Sequence, residues 1–316
     1  MRKYLLPEGG RFYKANLHMH TTVSDGKYTP EETKSVFMAQ GYSIVAFSDH
    51  FRLVPHNELT DENFLAITAM EVGIDNGPWS RHMKTYHFGL ISRKAEQSEY
   101  TWVDFPYSVE GANGLIEKFN REGFLVVYNH PVWSLQDYED YSGLKGLWGV
   151  EVHNTLGELE NLGENDRPLV DLLRRGQRVV PLATDDAHTP AQCFRGFTMV
   201  KAERLEYETV IAAYERGDFY SSEGPEIYEL FVEGERVYVR CSPVKEISFA
   251  TDRRHGEVLF AKDGELLTEA SFSLREMMED LALKDIPWEP HFRLVLTDQN
   301  GKRAWTRAYF KEDCGI

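Results

Sequence analysis

The chain has 316 residues, of which 42% are hydrophobic, 27% charged and 13% aromatic, a composition typical of a folded globular protein. Its formal net charge of -16 opposes sequence-independent binding to nucleic acid. The three cysteines are widely spaced, which supports neither a disulfide framework nor a thiolate zinc site. Neither a signal peptide nor a run of about eighteen apolar residues is found. We therefore expect a cytoplasmic protein without a membrane span.

The first two thirds of the chain alternate short apolar runs with helix-like stretches. Residues 13–17 form the first predicted strand, and Thr29 and Glu32 can form a capping box around Pro30, which predicts a helix start. Further strands are predicted at 44–47, 66–70, 86–91, 124–128, 149–152 and 179–183, with helices near 112–122, 166–175 and 205–216. Strands separated by helices predict βαβ units and a parallel sheet, and about seven or eight such units close into a TIM-like barrel.

The pattern changes after Gly224-Pro225. Residues 226–250 and 291–310 show the alternation typical of strands, and Asp263-Gly264 and Asn300-Gly301 supply turn signals between them. The sequence therefore predicts an α/β barrel domain over 1–225 and a small antiparallel β-sandwich domain over 226–316.

Metal-ligating residue types follow nearly every predicted strand of the first domain. His18 and His20 alternate along the first strand, which sends both imidazoles to one face, about 7 Å apart. Later strand ends supply Asp49, His50, Glu71, His87, His130, Asp185, Asp186 and His188. Because strand carboxyl ends converge at one face of a barrel, these residues predict a shared metal site. Imidazole with carboxylate suits zinc, manganese or iron.

The order and spacing of these residues resemble the PHP (polymerase and histidinol phosphatase) superfamily. The motifs span about residues 14–225 and are His18-x-His20, Ser24-Asp25-Gly26, Ser48-Asp49-His50, Glu71, His87, His130 and Asp186-x-His188. The segment 219–225, followed by a β-rich tail, is similar to the stand-alone metallohydrolase branch with a C-terminal domain. The resemblance implies a distorted (β/α)7 TIM-like barrel that holds two or three divalent metal ions.

The resemblance also implies how the ligands are divided within a trinuclear metal site. The first metal takes His18, His20, Glu71 and Asp186; the second takes Glu71, His87 and His130; the third takes Asp25, His50 and His188. Asp25 equally fits an ordinary Ser-Asp-Gly turn. His82 competes with His87, which is embedded in an apolar strand. Asp186 is preferred to Asp185 because it alone gives the Asp-x-His step.

Such a centre predicts a phosphoesterase that hydrolyses a small-molecule phosphate ester, a nucleotide or sugar phosphate, through a hydroxide that bridges the metals. Glu71 and Asp186 are the expected catalytic carboxylates. Two residues outside the ligand set are further catalytic candidates. His153 lies at a predicted barrel strand end, although it equally fits a structural role, and Arg195 could grip a phosphate bidentately, although it also fits an exposed loop arginine. Arg52, His56, Arg81, His82 and Asn154 are weaker candidates.

Other functions remain compatible with this reading. A histidinol-phosphate phosphatase fits the superfamily, although the extra β-domain favours a different branch. A carbon-ester or amide hydrolase would use the same metals to polarise a carbonyl group. A proofreading exonuclease is disfavoured by the net charge. A non-catalytic binding module is disfavoured because every predicted ligand type is present.

Overall fold

The computed structural model describes residues 2–77, 83–254, 256–275 and 289–315, so that Arg81 and His82 lie outside the described residues. Its helices are α1 (Pro30–Ala39), α2 (Val109–Arg121), α3 (Tyr138–Tyr141), α4 (Thr155–Leu159), α5 (Arg167–Arg174), α6 (Tyr207–Arg216) and α7 (Lys311–Cys314), with 3-10 turns at Asn57–Leu59 and Pro190–Gln192. None of the helices in these ranges combines the length and apolar character needed to cross a membrane.

The strands of the first 225 residues agree with the predicted ones to within a few residues, except at β1, β9 and β10, which were not predicted. They are β1 (Lys3–Tyr4), β2 (Arg11–Met19), β3 (Ile44–Phe47), β4 (Leu65–Asp75), β5 (Thr85–Ser92), β6 (Phe124–Asn129), β7 (Gly149–Asn154), β8 (Val180–Thr184), β9 (Phe197–Ala202) and β10 (Phe219–Ser222). The later strands are β11 (Ile227–Glu233), β12 (Arg236–Val244), β13 (Glu246–Thr251), β14 (Glu257–Phe260), β15 (Leu267–Ser273), β16 (His291–Thr297), β17 (Arg303–Thr306) and β18 (Tyr309–Phe310).

The larger sheet is mixed rather than wholly parallel. Its strand order is β14-β13-β16-β17-β10-β9-β2-β3-β4-β5-β6-β7-β8, and β18 pairs with β16. The pairs β2/β3, β3/β4, β6/β7 and β7/β8 are parallel, whereas β5 runs antiparallel to both β4 and β6. The segment 76–84 between β4 and β5 is shorter than the dozen or so residues that a parallel crossover needs. An antiparallel pair therefore replaces one predicted βαβ unit.

Local sequence explains where the helices begin and end. The Thr29 side chain accepts a hydrogen bond from Glu32 N–H and the Glu32 side chain accepts one from Thr29 N–H, which confirms the predicted capping box of α1. Helix α6 ends at Gly217, whose φ of 76° is the left-handed conformation that favours glycine.

Strand pairing continues across the predicted boundary at 225/226. Strand β10 pairs with β17, and β1 joins β11, β12 and β15 in a second, four-stranded sheet. One apolar core contains Leu5, Leu6 and Tyr220 together with side chains of the later strands, among them Phe249, Phe272 and Phe292. These contacts cross the predicted boundary, and the division into two domains, 1–225 and 226–316, stays a prediction from the sequence.

Two isolated backbone bridges bring the strand ends together. Met19 bridges to Ala187 and His50 bridges to Glu71, both in parallel orientation. In addition, His20 N–H donates to the Ala187 carbonyl over 3.1 Å, and Asp186 N–H donates to the His18 carbonyl over 3.0 Å. The segment after β8 therefore lies beside the carboxyl end of β2, where the predicted ligands are located.

Candidate metal centre

The centre begins with two histidines at the end of β2. His18 and His20 are both buried, and their Nε2 atoms lie 3.1 Å apart. Because alternate side chains of a strand point to the same face, the intervening Met19 points away into an apolar core. The two imidazoles therefore enter one polar cavity, as the sequence predicted.

Glu71, on β4, lies between the histidines of several strands. Its Oε1 is 3.0 Å from His130 Nε2 and 3.3 Å from His87 Nδ1. Its Oε2 is 3.2 Å from His50 Nδ1 and 3.5 Å from His20 Nε2. Oε1 is also 3.4 Å from His18 Nε2. The two carboxylate oxygens thus face different sets of imidazoles, which is the arrangement of a carboxylate that can bridge two cations.

Asp186, which follows β8, also lies against the first histidine pair. Its Oδ1 lies 3.2 Å from His18 Nε2 and 3.1 Å from His20 Nε2. Asp185 instead turns its carboxylate away, accepting backbone N–H groups from Phe194 and Gly196. The carboxylates of the two adjacent aspartates thus have different partners, and the choice of Asp186 as the ligand stays a prediction.

A third group lies at the more open side of the cavity. Asp25 Oδ1 is 3.5 Å from His188 Nε2, and Asp25 Oδ2 is 3.8 Å from His50 Nε2. The Asp25 side chain is 55% exposed, whereas His20, which stacks on His188 with ring centroids 4.0 Å apart, is fully buried.

Ligand atoms of these side chains fall into three overlapping groups, each with all its atoms within 4.8 Å of one another. The groups are His18, His20, Glu71 and Asp186; Glu71, His87 and His130; and His20, Asp25, His50 and His188. All nine predicted ligands are therefore brought together, and the grouping follows the division implied by the family resemblance, with His20 also placed beside the third group.

The donor set suits cations because it holds buried polar atoms that the protein itself leaves unsatisfied. Among the described residues, Asp186 Oδ1, His20 Nδ1 and His87 Nδ1 are buried without a hydrogen bond, although charged groups lie within 4 Å of each. Buried polar groups are normally satisfied, and an unpaired one destabilises the fold. Imidazole nitrogens and carboxylate oxygens are ligands of zinc, manganese and iron, so the residues fit such ions.

The carboxylates and imidazoles of the cavity shift one another's pKa values. Burial raises the pKa of Glu71 and of Asp186, but neighbouring histidines outweigh burial and hold both pKa values well below their usual range. Burial likewise lowers the pKa of His130, but Glu71, Asp186 and Glu151 outweigh it and raise that pKa to about 9. The carboxylates therefore favour positive charge in the cavity.

No family model and no curated protein matches the chain. Among solved structures, it is similar to a two-domain protein from Bacteroides vulgatus described as containing a predicted PHP-like metal-dependent phosphoesterase. That protein is 15% identical, with a TM-score of 0.44 over 97% of this chain and 98% of the other.

Two further solved structures are similar over about two thirds of the chain. An amidohydrolase from Chromobacterium violaceum with bound sulfate and no metal is 13% identical, with a TM-score of 0.41 over 65% of this chain and 96% of the other. The lesion-specific endonuclease PfuEndoQ from Pyrococcus furiosus is 17% identical, with a TM-score of 0.42 over 65% of this chain and 56% of the other. The site's own geometry, rather than these matches, supports the function proposed below.

Four further polar residues lie next to the predicted ligands, and the sequence had singled out only Asp49 and Asn154 among them. Asn129 donates to Glu71 Oε1 over 2.8 Å, and Asn154 donates to Asp186 Oδ2 over 3.2 Å. Asp49 is turned from the centre and accepts from Thr21 and Ser24, whereas Glu151 is fully buried beside His18. Asp49, Asn129 and Asn154 lie at or just after a strand end, which is a signal in the sequence. Glu151 lies within β7 and has no such signal.

His153 and Arg195 lie apart from the ligand groups. His153 Nδ1 is 2.9 Å from Glu223 Oε1, and its Nε2 is 3.1 Å from Thr155 Oγ1. With Glu158 and Glu223 it forms a separate histidine and glutamate group. Arg195 is exposed, and its backbone N–H donates to Asp185 Oδ1 over 2.9 Å.

Of the weaker candidates, Arg52 and His56 belong to none of the ligand groups. Arg52 is exposed, and His56 is buried with its Nδ1 3.2 Å from Glu58 Oε1. Phe51, directly after His50, is 41% exposed, and its ring packs edge-on against Trp102 with centroids 5.0 Å apart.

Proposed function

We propose that the chain is a metal-dependent hydrolase of the PHP superfamily that cleaves a phosphate ester of a small molecule. The convergence of nine imidazole and carboxylate ligands in three overlapping groups carries this proposal. His18, His20, Glu71 and Asp186 would hold one ion, Glu71, His87 and His130 a second, and Asp25, His50 and His188 a third. Zinc, manganese or iron fits this donor set. Bound cations supply acidified water and offset negative charge on the phosphoryl oxygens.

The protein's own residues supply positioning and exclusion of water. Glu71 and Asp186 are the proposed catalytic carboxylates, because each has oxygens facing histidines of two groups. Burial of the first ligand group on β2 and β4 keeps bulk water from that side. The exposed Asp25, His50 and His188 side leaves an entry for substrate.

We assign two further features, one charged and one aromatic, to substrate binding. Arg195 extends from the loop that follows the Asp186 segment, and we assign it a contact to the substrate phosphate. Phe51 and Trp102 form an aromatic wall beside His50 that suits the apolar part of a leaving group. His153 stays a sequence-based candidate for proton transfer, with both ring nitrogens engaged by Glu223 and Thr155.

The test is a substrate panel run on metal-loaded and chelator-treated protein. The panel contains phosphomonoesters, phosphodiesters, histidinol phosphate, carboxyl esters, amides and a single-stranded DNA oligonucleotide. We expect release of phosphate, or cleavage of a phosphodiester, that the chelator abolishes and added metal restores. Hydrolysis confined to carboxyl esters or amides would replace the phosphoesterase by a carbon-ester or amide hydrolase. If the metal-loaded protein hydrolyses no compound in the panel, a non-catalytic binding module is favoured.

A further inference from the structure

The carboxylate of Glu151 lies against the candidate centre but not among its nine ligands. Glu151 is fully buried on β7, and four donors reach it. His18 Nδ1 lies 2.8 Å and Thr184 Oγ1 2.6 Å from Oε1, and His130 N–H and the Asn154 side-chain amide each donate to Oε2 over 2.9 Å. A buried carboxylate with both oxygens occupied in this way has a fixed orientation.

The two nitrogens of His18 face different partners. Nδ1 meets Glu151, whereas Nε2 faces the ligand group, 3.2 Å from Asp186 Oδ1 and 3.4 Å from Glu71 Oε1. A histidine binds a metal through a nitrogen that carries no proton. A carboxylate at Nδ1 keeps the proton there, which leaves Nε2 free as a ligand and fixes the plane of the ring.

The same carboxylate also holds the backbone of a second ligand. His130 has a φ of 26°, a conformation that few non-glycine residues adopt. Its N–H is tied to Glu151 Oε2, while its Nε2 reaches Glu71. A single side chain therefore fixes the ring of His18 in the first ligand group and the main chain of His130 in the second.

We propose that Glu151 is a positioning residue that sets the tautomer of His18 and couples the geometry of the first and second metal sites. This inference rests on the proposed function, because it requires metal at the centre. Glu151 itself contacts no metal in this proposal. Its carboxylate could be taken for a ligand, because possible ligand atoms of His18, His130 and Glu151 lie within 4.8 Å of one another. Four hydrogen-bond donors already occupy its oxygens, whereas Asp186 Oδ1 in the ligand set has none.

Substitution of Glu151 by Gln tests the proposal with little change of shape. If the Gln oxygen accepts from His18 Nδ1–H, its amide NH2 meets the donors of His130 and Asn154. If the amide is reversed, its NH2 faces His18 Nδ1 and favours the wrong tautomer. The first orientation therefore disturbs His130, and the second disturbs His18. Thr184→Val, which removes a single donor to Oε1, should disturb the same site less.

The measurement is metal binding by competition with a chromophoric chelator, combined with elemental analysis at saturating zinc or manganese. For Glu151→Gln we expect the wild-type number of ions at saturation, with at least one bound roughly 10- to 100-fold more weakly. Asp171→Asn is the matched control, because Asp171 is also a buried carboxylate but lies on α5 with Tyr141 and Arg167. Its metal affinities should equal those of the wild type.

A second readout follows the tautomer itself. In zinc-loaded protein with 15N-labelled histidine, His18 should carry its proton on Nδ1, and that signal should shift or exchange faster in Glu151→Gln. A role in folding alone would not move this signal. If Glu151→Gln leaves the metal affinities and the His18 signal unchanged, the inference about Glu151 is wrong, whereas the proposed function still stands. If Glu151→Gln loses one ion at saturation, Glu151 is a metal ligand instead. A wild-type chain that binds no metal would overturn the proposed function and this inference together.

Discussion

Glu71 Oε1 lies 3.0 Å from His130 Nε2, although 59 residues separate the two in the chain. Glu71 is on β4, His130 directly follows β6, and the intervening β5 contributes His87 to the same carboxylate oxygen. Side chains from β5 and from the residue after β6 thus meet at one buried carboxylate of β4. The candidate centre depends on this side chain more than on any one histidine.

Glu71→Gln should therefore remove most of the metal-dependent activity. The amide keeps the shape but loses the charge that neutralises the cations, and its NH2 cannot act as a ligand. We expect turnover to fall at least about 100-fold and metal affinity at two sites to weaken together. Steady-state rates and chelator competition measure both. The account would be wrong if Glu71→Gln bound metal and turned over substrate at wild-type levels.

The pKa of His130 gives a pH dependence that differs between metal-free and metal-loaded protein. Burial opposes protonation, but Glu71 and its neighbours raise this pKa to about 9 from the ordinary 6.5. A raised histidine pKa stabilises the metal-free fold fully below about pH 6.5, and this contribution is lost as the pH rises through 9. The loss amounts to a few kcal/mol at most, roughly.

Urea unfolding of chelator-treated protein from pH 6.5 to 9.5 checks this expectation. The free energy of unfolding should decrease across the range, and the decrease should be smaller in His130→Gln. Metal competes with the proton at His130 Nε2, so metal affinity should rise over the same range. If the free energy of unfolding of the metal-free protein instead increased with pH, His130 would not carry the positive charge that is assigned to it.

Arg195→Ala tests the proposed phosphate contact. A hydrogen bond from a guanidinium to a charged group contributes about 1.5 to 3 kcal/mol, so kcat/KM for the phosphate ester should fall roughly tenfold or more. The effect should appear mainly in KM. Arg204→Ala is the control, because Arg204 is also exposed and its guanidinium lies 3.3 Å from Glu206. Equal kcat/KM for wild type and Arg195→Ala would remove Arg195 from the site.

Gly217, at the end of α6, lies against the side chain of Arg307 in the C-terminal segment. Its φ is 76°, and an added Cβ would lie 2.4 Å from Cδ of Arg307, which pairs with Asp313. Gly41 has a similar φ of 77° but open space around it. Gly217→Ala should lower the free energy of unfolding by more than Gly41→Ala, which costs about 1 kcal/mol from backbone strain. Equal losses in chemical denaturation would show that Arg307 adjusts freely.

The convergence of the candidate ligands could be predicted from the sequence because strand ends repeat a simple local rule. His18 and His20 alternate on β2, and Glu71, His130 and Asp186 each follow an apolar run that ends at the same edge of the sheet. The start of α1 could be predicted for the same reason, since the Thr29 and Glu32 capping box is a local signal.

The part that could not be predicted depends on register and connection length. Simple alternation along β7 places Glu151 and His153 on one face, but the pairing of β7 with β8 shifts between these two residues. Glu151 consequently faces His18, and His153 faces Glu223. The antiparallel β5 likewise follows from a short connection rather than from the apolar pattern of the strand itself.

The most direct test of the centre is the metal content of the protein. After saturation with zinc or manganese and removal of excess, elemental analysis should give two or three ions per chain, and His20→Ala should give fewer because His20 lies in two of the ligand groups. A wild-type chain that retains less than one ion would contradict the account, because the nine side chains would then meet without binding the cations that their geometry fits.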